Sequence, residues 1–154
     1  MEILCMKVLD LLREKSRPLH TIAADQSVDD AVRLMSEKRV SALIVTEYDQ
    51  PVGIFAERDV FRHYSSDRTT ALSDVAVQNA MTGNLIAAAP EDEISRIMAI
   101  MIKADIRHLP VIKAGKLIGM LTLSDLIEHR IETLTEENHQ LKDYIDAVHE
   151  AGPD

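Results

Sequence analysis

Among its 154 residues the chain has a single cysteine, Cys5. One thiol excludes an intrachain disulfide and any metal cluster built on cysteines. It fits a reducing, cytoplasmic setting. Aromatics are scarce too: two Phe, three Tyr and no Trp. The core must then come from Ile, Leu, Val, Met and Ala, and the stacking platforms used for single-stranded nucleic acid are missing. Positive charge is in deficit, with 17 Lys and Arg against 26 Asp and Glu, a net charge of -9. That balance works against steering of DNA or RNA, while local basic spots can still hold a phosphate. Long apolar runs are absent; the longest, Ile97 to Ile102, is far short of a membrane span. The start, Met1 to Lys7, lacks a basic region, and Asp10 interrupts the apolar stretch. It reads as neither a signal peptide nor a span.

Catalytic and metal signatures are missing as well. There is no Gly-x-Ser-x-Gly, P-loop or Gly-x-Gly-x-x-Gly, and no His-x-x-x-His pair. Cys5 reads as a small packed hydrophobe, and His20 and His63 as surface residues. The expectation is a non-enzymatic protein without a metal site.

What is present is ordinary for a globular protein, 46% hydrophobic and 28% charged, in one compact domain or two small ones sharing a core. It also repeats itself. Shifted by 66 positions, Ala23–His63 aligns without gaps on Ala89–His129. Seven pairs are identical, among them Gly53/Gly119 and Asp59/Asp125. Val28, Ala31, Val32 and Met35 fall at helical spacing, as do Ile94, Ile97, Met98 and Met101. Ser27 and Asp92 are the candidate N-caps. Each helix is followed by an apolar strand, a turn (Tyr48–Gln50; Lys113–Lys116), a second strand, and a helix starting near Glu57 or Leu123. Short leading strands are expected at Thr21–Ala23 and Leu85–Ala87. One half has too little apolar surface to stand alone, so two halves should share a core.

The strings Gly53-Ile54-Phe55-Ala56-Glu57-Arg58-Asp59 and Gly119-Met120-Leu121-Thr122-Leu123-Ser124-Asp125, with Arg107-His108-Leu109-Pro110-Val111 before the latter, resemble the CBS repeat. The chain looks like a stand-alone bacterial-type CBS pair (a Bateman module). The resemblance implies an α/β (α+β) fold: two β-α-β-β-α repeats packed sheet to sheet about a pseudo-two-fold axis, with an extended C-terminal helix. The expected divisions are 8–66 for the first repeat, 67–76 for a linker, 77–135 for the second repeat and 136–150 for a helical extension. It further implies a regulatory sensor that binds an adenine nucleotide between the repeats and signals to a separate partner. AMP leads, with ADP, ATP, NAD(H) and S-adenosyl methionine open. The competing reading is a ligand-free dimerisation or adaptor protein.

Local chemistry favours the second half for that ligand. Gly119 leaves room against the strand backbone. Thr122 stands at a helix start, where free amides and the dipole favour phosphate. The Asp125 carboxylate, a turn on, can accept from both ribose hydroxyls, and Ser124 can assist. Thr122-x-x-Asp125 is equally an ordinary capping box. The family positions put Arg107 and His108 near the phosphates, although strand alternation should allow only one of them. Adenine would lie against Ile86 and Val111. In the first half Asp59 keeps the ribose hook, but Ala56 lacks the hydroxyl, so that site should be weaker or empty. Arg58 could serve either site.

Past the second repeat, Ile127, Ile131, Leu134, Asn138, Leu141, Ile145 and Val148 alternate spacings of 4 and 3. This is a heptad seam with one Asn in the core line. A homodimer through this helix, or helped by Met1–Leu12, is expected; the alternative is a helix packed back on its own domain.

Overall fold

The computed structural model describes residues 6–151; Cys5 lies outside them. The elements run α1 (Val8–Lys15), β1 (Thr21–Ala23), α2 (Val28–Lys38), β2 (Ala42–Glu47), β3 (Gln50–Ala56), α3 (Glu57–Ser66), α4 (Val77–Ala80), α5 (Ile94–Ala104), β4 (His108–Lys113), β5 (Lys116–Thr122) and α6 (Leu123–Ala151), with a 3-10 turn at Leu72–Asp74. This is a mixed α+β fold of two repeats with a long C-terminal helix. The repeats meet through β3 and β5.

Each repeat is built on a hairpin. β2 pairs antiparallel with β3, and β4 with β5. Both registers slip at equivalent places, Val45/Thr46 and Val111/Ile112. Both turns carry two positive-φ residues, Tyr48 and Asp49 in one, Ala114 and Gly115 in the other. That geometry matches the twist of two-residue hairpins. Ser27 caps α2 as expected: its hydroxyl accepts the Asp30 amide at 3.0 Å. Asp92 does not cap α5. The N-cap there is Glu93, and the Asp92 carboxylate accepts the Ala89 amide instead, at 2.8 Å.

The leading strands differ between halves. β1 pairs parallel with β2. The expected strand at Leu85–Ala87 is absent, reduced to one parallel bridge, Ala88 to Val111. Among the described residues the first sheet has three strands and the second two.

Helices α1 and α4 are exchanged between the repeats. Val8 and Leu11 of α1 are fully buried in the second repeat, with Met101, Leu109, Val111, Leu121 and Leu126. The Val8 and Leu9 amides donate to Asp92 O and Pro90 O, both at 2.9 Å. Reciprocally, Val77 and Ala80 of α4 pack with Val28 and Phe55 of the first repeat, and the Val77 amide donates to Gln26 O at 2.8 Å. Met1–Leu12 is the segment expected to help self-association; within it, Val8 and Leu11 are used inside the chain's own core.

The paired glycines serve this exchange. A Cβ on Gly119 would stand 2.5 Å from Cδ1 of Leu12 in α1. The space read as ligand room is therefore taken by Leu12. On Gly53 the Cβ would meet Met81 Sδ at 2.5 Å and the Thr82 carbonyl oxygen at 2.8 Å. A leucine tip can rotate away, whereas a backbone oxygen held by the Ile54–Thr82 bridge cannot. Gly53→Ala is expected to cost about 1–3 kcal/mol and Gly119→Ala less, in denaturant titrations of the two variants.

Candidate functional site

Two clefts lie at the junction of the repeats, and the 66-residue offset relates them. Cleft A, about 570 Å³, is built on Asp59, with Arg58, Thr82, Ile86, Asp105 and Arg107 among its walls. Cleft B, about 540 Å³, opens beside Thr122 and Gly119, with Arg13, Arg17, His20 and Arg39. Both are of the size that encloses small ligands. Ser41, His108 and Thr122 line both. The Ser41 hydroxyl and His108 Nε2 share a hydrogen bond of 2.8 Å, which joins the repeats between the clefts. Burial holds the His108 imidazole below its ordinary pKa, an effect reinforced by Arg107 and Arg58 and opposed by Glu57.

Asp125 and Asp59 are the only charged groups among the described residues that are buried, 3% and 2% exposed. Each sits one turn into a helix because its carboxylate caps that helix. Asp125 Oδ2 accepts the Thr122 amide at 2.8 Å, and the Thr122 hydroxyl accepts the Asp125 amide at 3.2 Å. The capping box is thus formed in full. The Leu123 amide donates to Arg107 O at 2.9 Å, so much of this helix start is already engaged. The other carboxylate oxygen of Asp125 is paired with Arg17. Burial pushes the Asp125 carboxyl up, but Arg17 and the Thr122 amide outweigh it and hold the pKa below the usual carboxylate value. Asp59 is engaged in parallel fashion, by the Ala56 amide at 2.9 Å, Arg62 at 2.6 Å and the Thr82 hydroxyl at 3.0 Å.

The sequence-derived residues divide between the clefts. Thr122 and Gly119 line cleft B, with Asp125 behind them through Arg17. Ile86, Arg107, Ser124, Arg58 and Asp59 line cleft A, which Thr122 and His108 also reach; Ile86 therefore stands in one cleft with Asp59, Thr122 and Ser124. Val111 lines neither cleft. It is fully buried in the second core, opposite Gly119 and bridged to Ala88, and offers no surface to an adenine ring. Arg107 and His108 are not separated by strand alternation: β4 begins at His108, and both reach cleft A.

The residues missed from sequence are those of cleft B: Arg13, Lys15, Arg17, His20 and Arg39. His20 is a half-buried cleft residue, not a surface one. His63 is also half-buried, and its Nε2 has no partner. One signal was available. At offset 66, Arg39 corresponds to Asp105, and both end their helices in the left-handed conformation. The charge reversal at these two caps separates the clefts. Cleft B is lined by four cationic side chains, Arg13, Lys15, Arg17 and Arg39, with no carboxylate among its lining residues; from behind, Glu128 holds Lys15 at 2.9 Å and Asp125 holds Arg17. Cleft A mixes Glu57, Asp59 and Asp105 with Arg58 and Arg107. There Arg58 is drawn to Asp105, at 3.3 Å from the carboxylate and 3.1 Å from its carbonyl oxygen.

Among the described residues no helix is long and apolar enough to cross a membrane. The CBS domain model matches residues 8–66 and 72–132. The mitochondrial CBS domain-containing protein CBSX3 of Arabidopsis thaliana is 34% identical over 128 residues, 79% of this chain. The chain spans only 61% of CBSX3's length. The crystal structure of the CBS-domain protein ATU1752 from Agrobacterium tumefaciens is 30% identical, with a TM-score of 0.75 over 81% of this chain and 99% of its own. CBSX2, solved in complex with AMP, is 26% identical, with a TM-score of 0.68 over 82% of this chain and 96% of its own. Two matched repeats, an exchanged-helix α+β fold and these neighbours agree: the chain belongs to the CBS domain family and is made mainly of a CBS pair.

Proposed function

We propose that the chain is a cytoplasmic regulatory module that binds an adenine nucleotide between its repeats and passes that state to a separate protein. The observation that carries the reading is cleft B. An acidic protein of net charge -9 gathers four cationic side chains around one cleft; Glu128 holds Lys15 and the buried Asp125 carboxylate holds Arg17, while Arg13 and Arg39 have no ion pair among the described residues. Cationic walls with low-dielectric backing concentrate anions, and guanidinium groups match phosphate geometry. The AMP bound by CBSX2 supports the same ligand class.

In this proposal Thr122 and Asp125 frame the main site, with Arg17 and Arg39 on the phosphates, while Ser124 faces cleft A. Asp125 is closed by Arg17 in the free protein. The phosphate draws Arg17 off, and the freed carboxylate oxygen accepts the ribose hydroxyls. Cleft A, with Asp59, Ile86, Arg58, Arg107 and His108, is the weaker site: three donors already hold Asp59. The ligand is AMP, with ADP, ATP, NAD(H) and S-adenosyl methionine as the other candidates. Homodimerisation through α6 belongs to the same proposal.

Thermal unfolding with adenosine, AMP, ATP, NADH and S-adenosyl methionine tests the reading. A ligand at 100 times its Kd adds ~2.7 kcal/mol. At one fixed concentration the gain should be larger for AMP than for adenosine, and it should shrink with salt. Stability unchanged by every adenosine compound would leave the ligand-free adaptor.

A further inference from the structure

Helix α6 runs 29 residues, Leu123 to Ala151, well beyond the body it caps. Only its start is packed: Asp125 and Leu126 are buried, and residues 138–151 are exposed throughout. The exposed stretch 138–151 is of the length at which an isolated helix is marginal in water. Yet its apolar residues are not scattered. Ile131, Leu134, Leu141, Ile145 and Val148 are 57%, 46%, 57%, 45% and 53% exposed, and all fall on the line that Asn138 completes. The structure thus excludes the alternative in which this stripe packs back on its own domain.

We infer that α6 pairs with α6 of a second copy as a parallel, in-register two-stranded coil, with Asn138 facing Asn138. This rests on the homodimer proposed above but not on nucleotide binding. Spacings of 3 and 4 make Ile131, Asn138 and Ile145 the a positions and Leu134, Leu141 and Val148 the d positions. β-branched a with Leu at d favours two strands, and a single a-position Asn selects register and number. Only in the parallel register do identical residues share a layer, so only there does each Asn amide find its like. Charge agrees. Glu137 precedes Asn138 at a g position, and Lys142 follows Leu141 at an e position. In the parallel coil Glu137 of each chain meets Lys142 of the other, giving two symmetric attractive pairs.

The test uses the full chain. Sedimentation equilibrium should give twice the chain mass, and Leu141→Asp with Ile145→Asp should halve it. Both positions lie beyond the packed part of α6, so the body keeps its unfolding transition. Lys142→Glu should raise the dimer Kd by roughly tenfold, and Glu137→Lys with Lys142→Glu should restore it. In a Cys5→Ser background, Leu141→Cys should oxidise to a covalent dimer, because that layer faces itself within disulfide reach. A parent chain that stays monomeric at roughly 100 μM, or a dimer that survives the double Asp variant, overturns the interface. Failure of Leu141→Cys to cross-link in a confirmed dimer, or of the charge swap to rescue it, overturns the parallel register.

Discussion

Leu11→Ala is expected to destabilise the protein by about 2–5 kcal/mol, the range for deleting a fully buried leucine. Leu11 sits near the N-terminus, yet it fills the core built around β4 and β5. It is fully buried there, with Met101, Leu109 and Leu121. Residual cavity sets where in the range the loss falls, and rigid strands on one side leave little room to collapse. Denaturant titration checks it. Leu9→Ala is the control: Leu9 is only half-buried and lines cleft B. A loss at Leu11 no greater than at Leu9 would mean that α1 is not part of the second core. The same substitution should loosen cleft B, because Leu9, Leu12 and Arg13 of α1 all line it.

The second large effect is at Asp125. Asp125→Ala should abolish the ~2.7 kcal/mol that a nucleotide at 100 times Kd adds, while Asp59→Ala keeps most of it. Arg17→Ala separates the two halves of the proposed exchange. It removes a phosphate ligand but frees the carboxylate, so adenosine should bind more tightly and ATP more weakly. If both weaken equally, Arg17 is not the latch. Asp125 also predicts an acid dependence. Its folded pKa lies below the ordinary carboxylate value because Arg17 and the Thr122 amide outweigh burial. A depressed folded pKa contributes stability that is complete above the unfolded pKa near ~3.9 and is lost as pH falls through the folded one. The parent should therefore lose stability below about pH 4 more steeply than Asp125→Asn, read as denaturation midpoints across pH.

The candidate site was half legible. Asp125 and Thr122 were found because a capping box is a local pattern, three residues wide, and the repeat marked it twice. Val111 was assigned to a surface it lacks, because strand alternation says which residues share a face but not what covers that face. Arg17, His20 and Arg39 were missed because nothing in their own neighbourhood resembles a phosphate site. Their charge matters only once α1, the segment after it and the end of α2 converge on β5.

By itself the sequence determined the repeat, the helix and hairpin of each half, the capping box of Thr122 and Asp125, and the heptad line of α6. All of these are written in local periodicity or in a fixed offset, which chain connectivity preserves. Only the tertiary structure decided that α1 and α4 trade places, that the second half lacks its leading strand, and that the two related clefts carry different charge. Those outcomes depend on which apolar face each helix covers. Burial energy decides that through contacts between residues far apart in the chain, and no short window of sequence contains both partners.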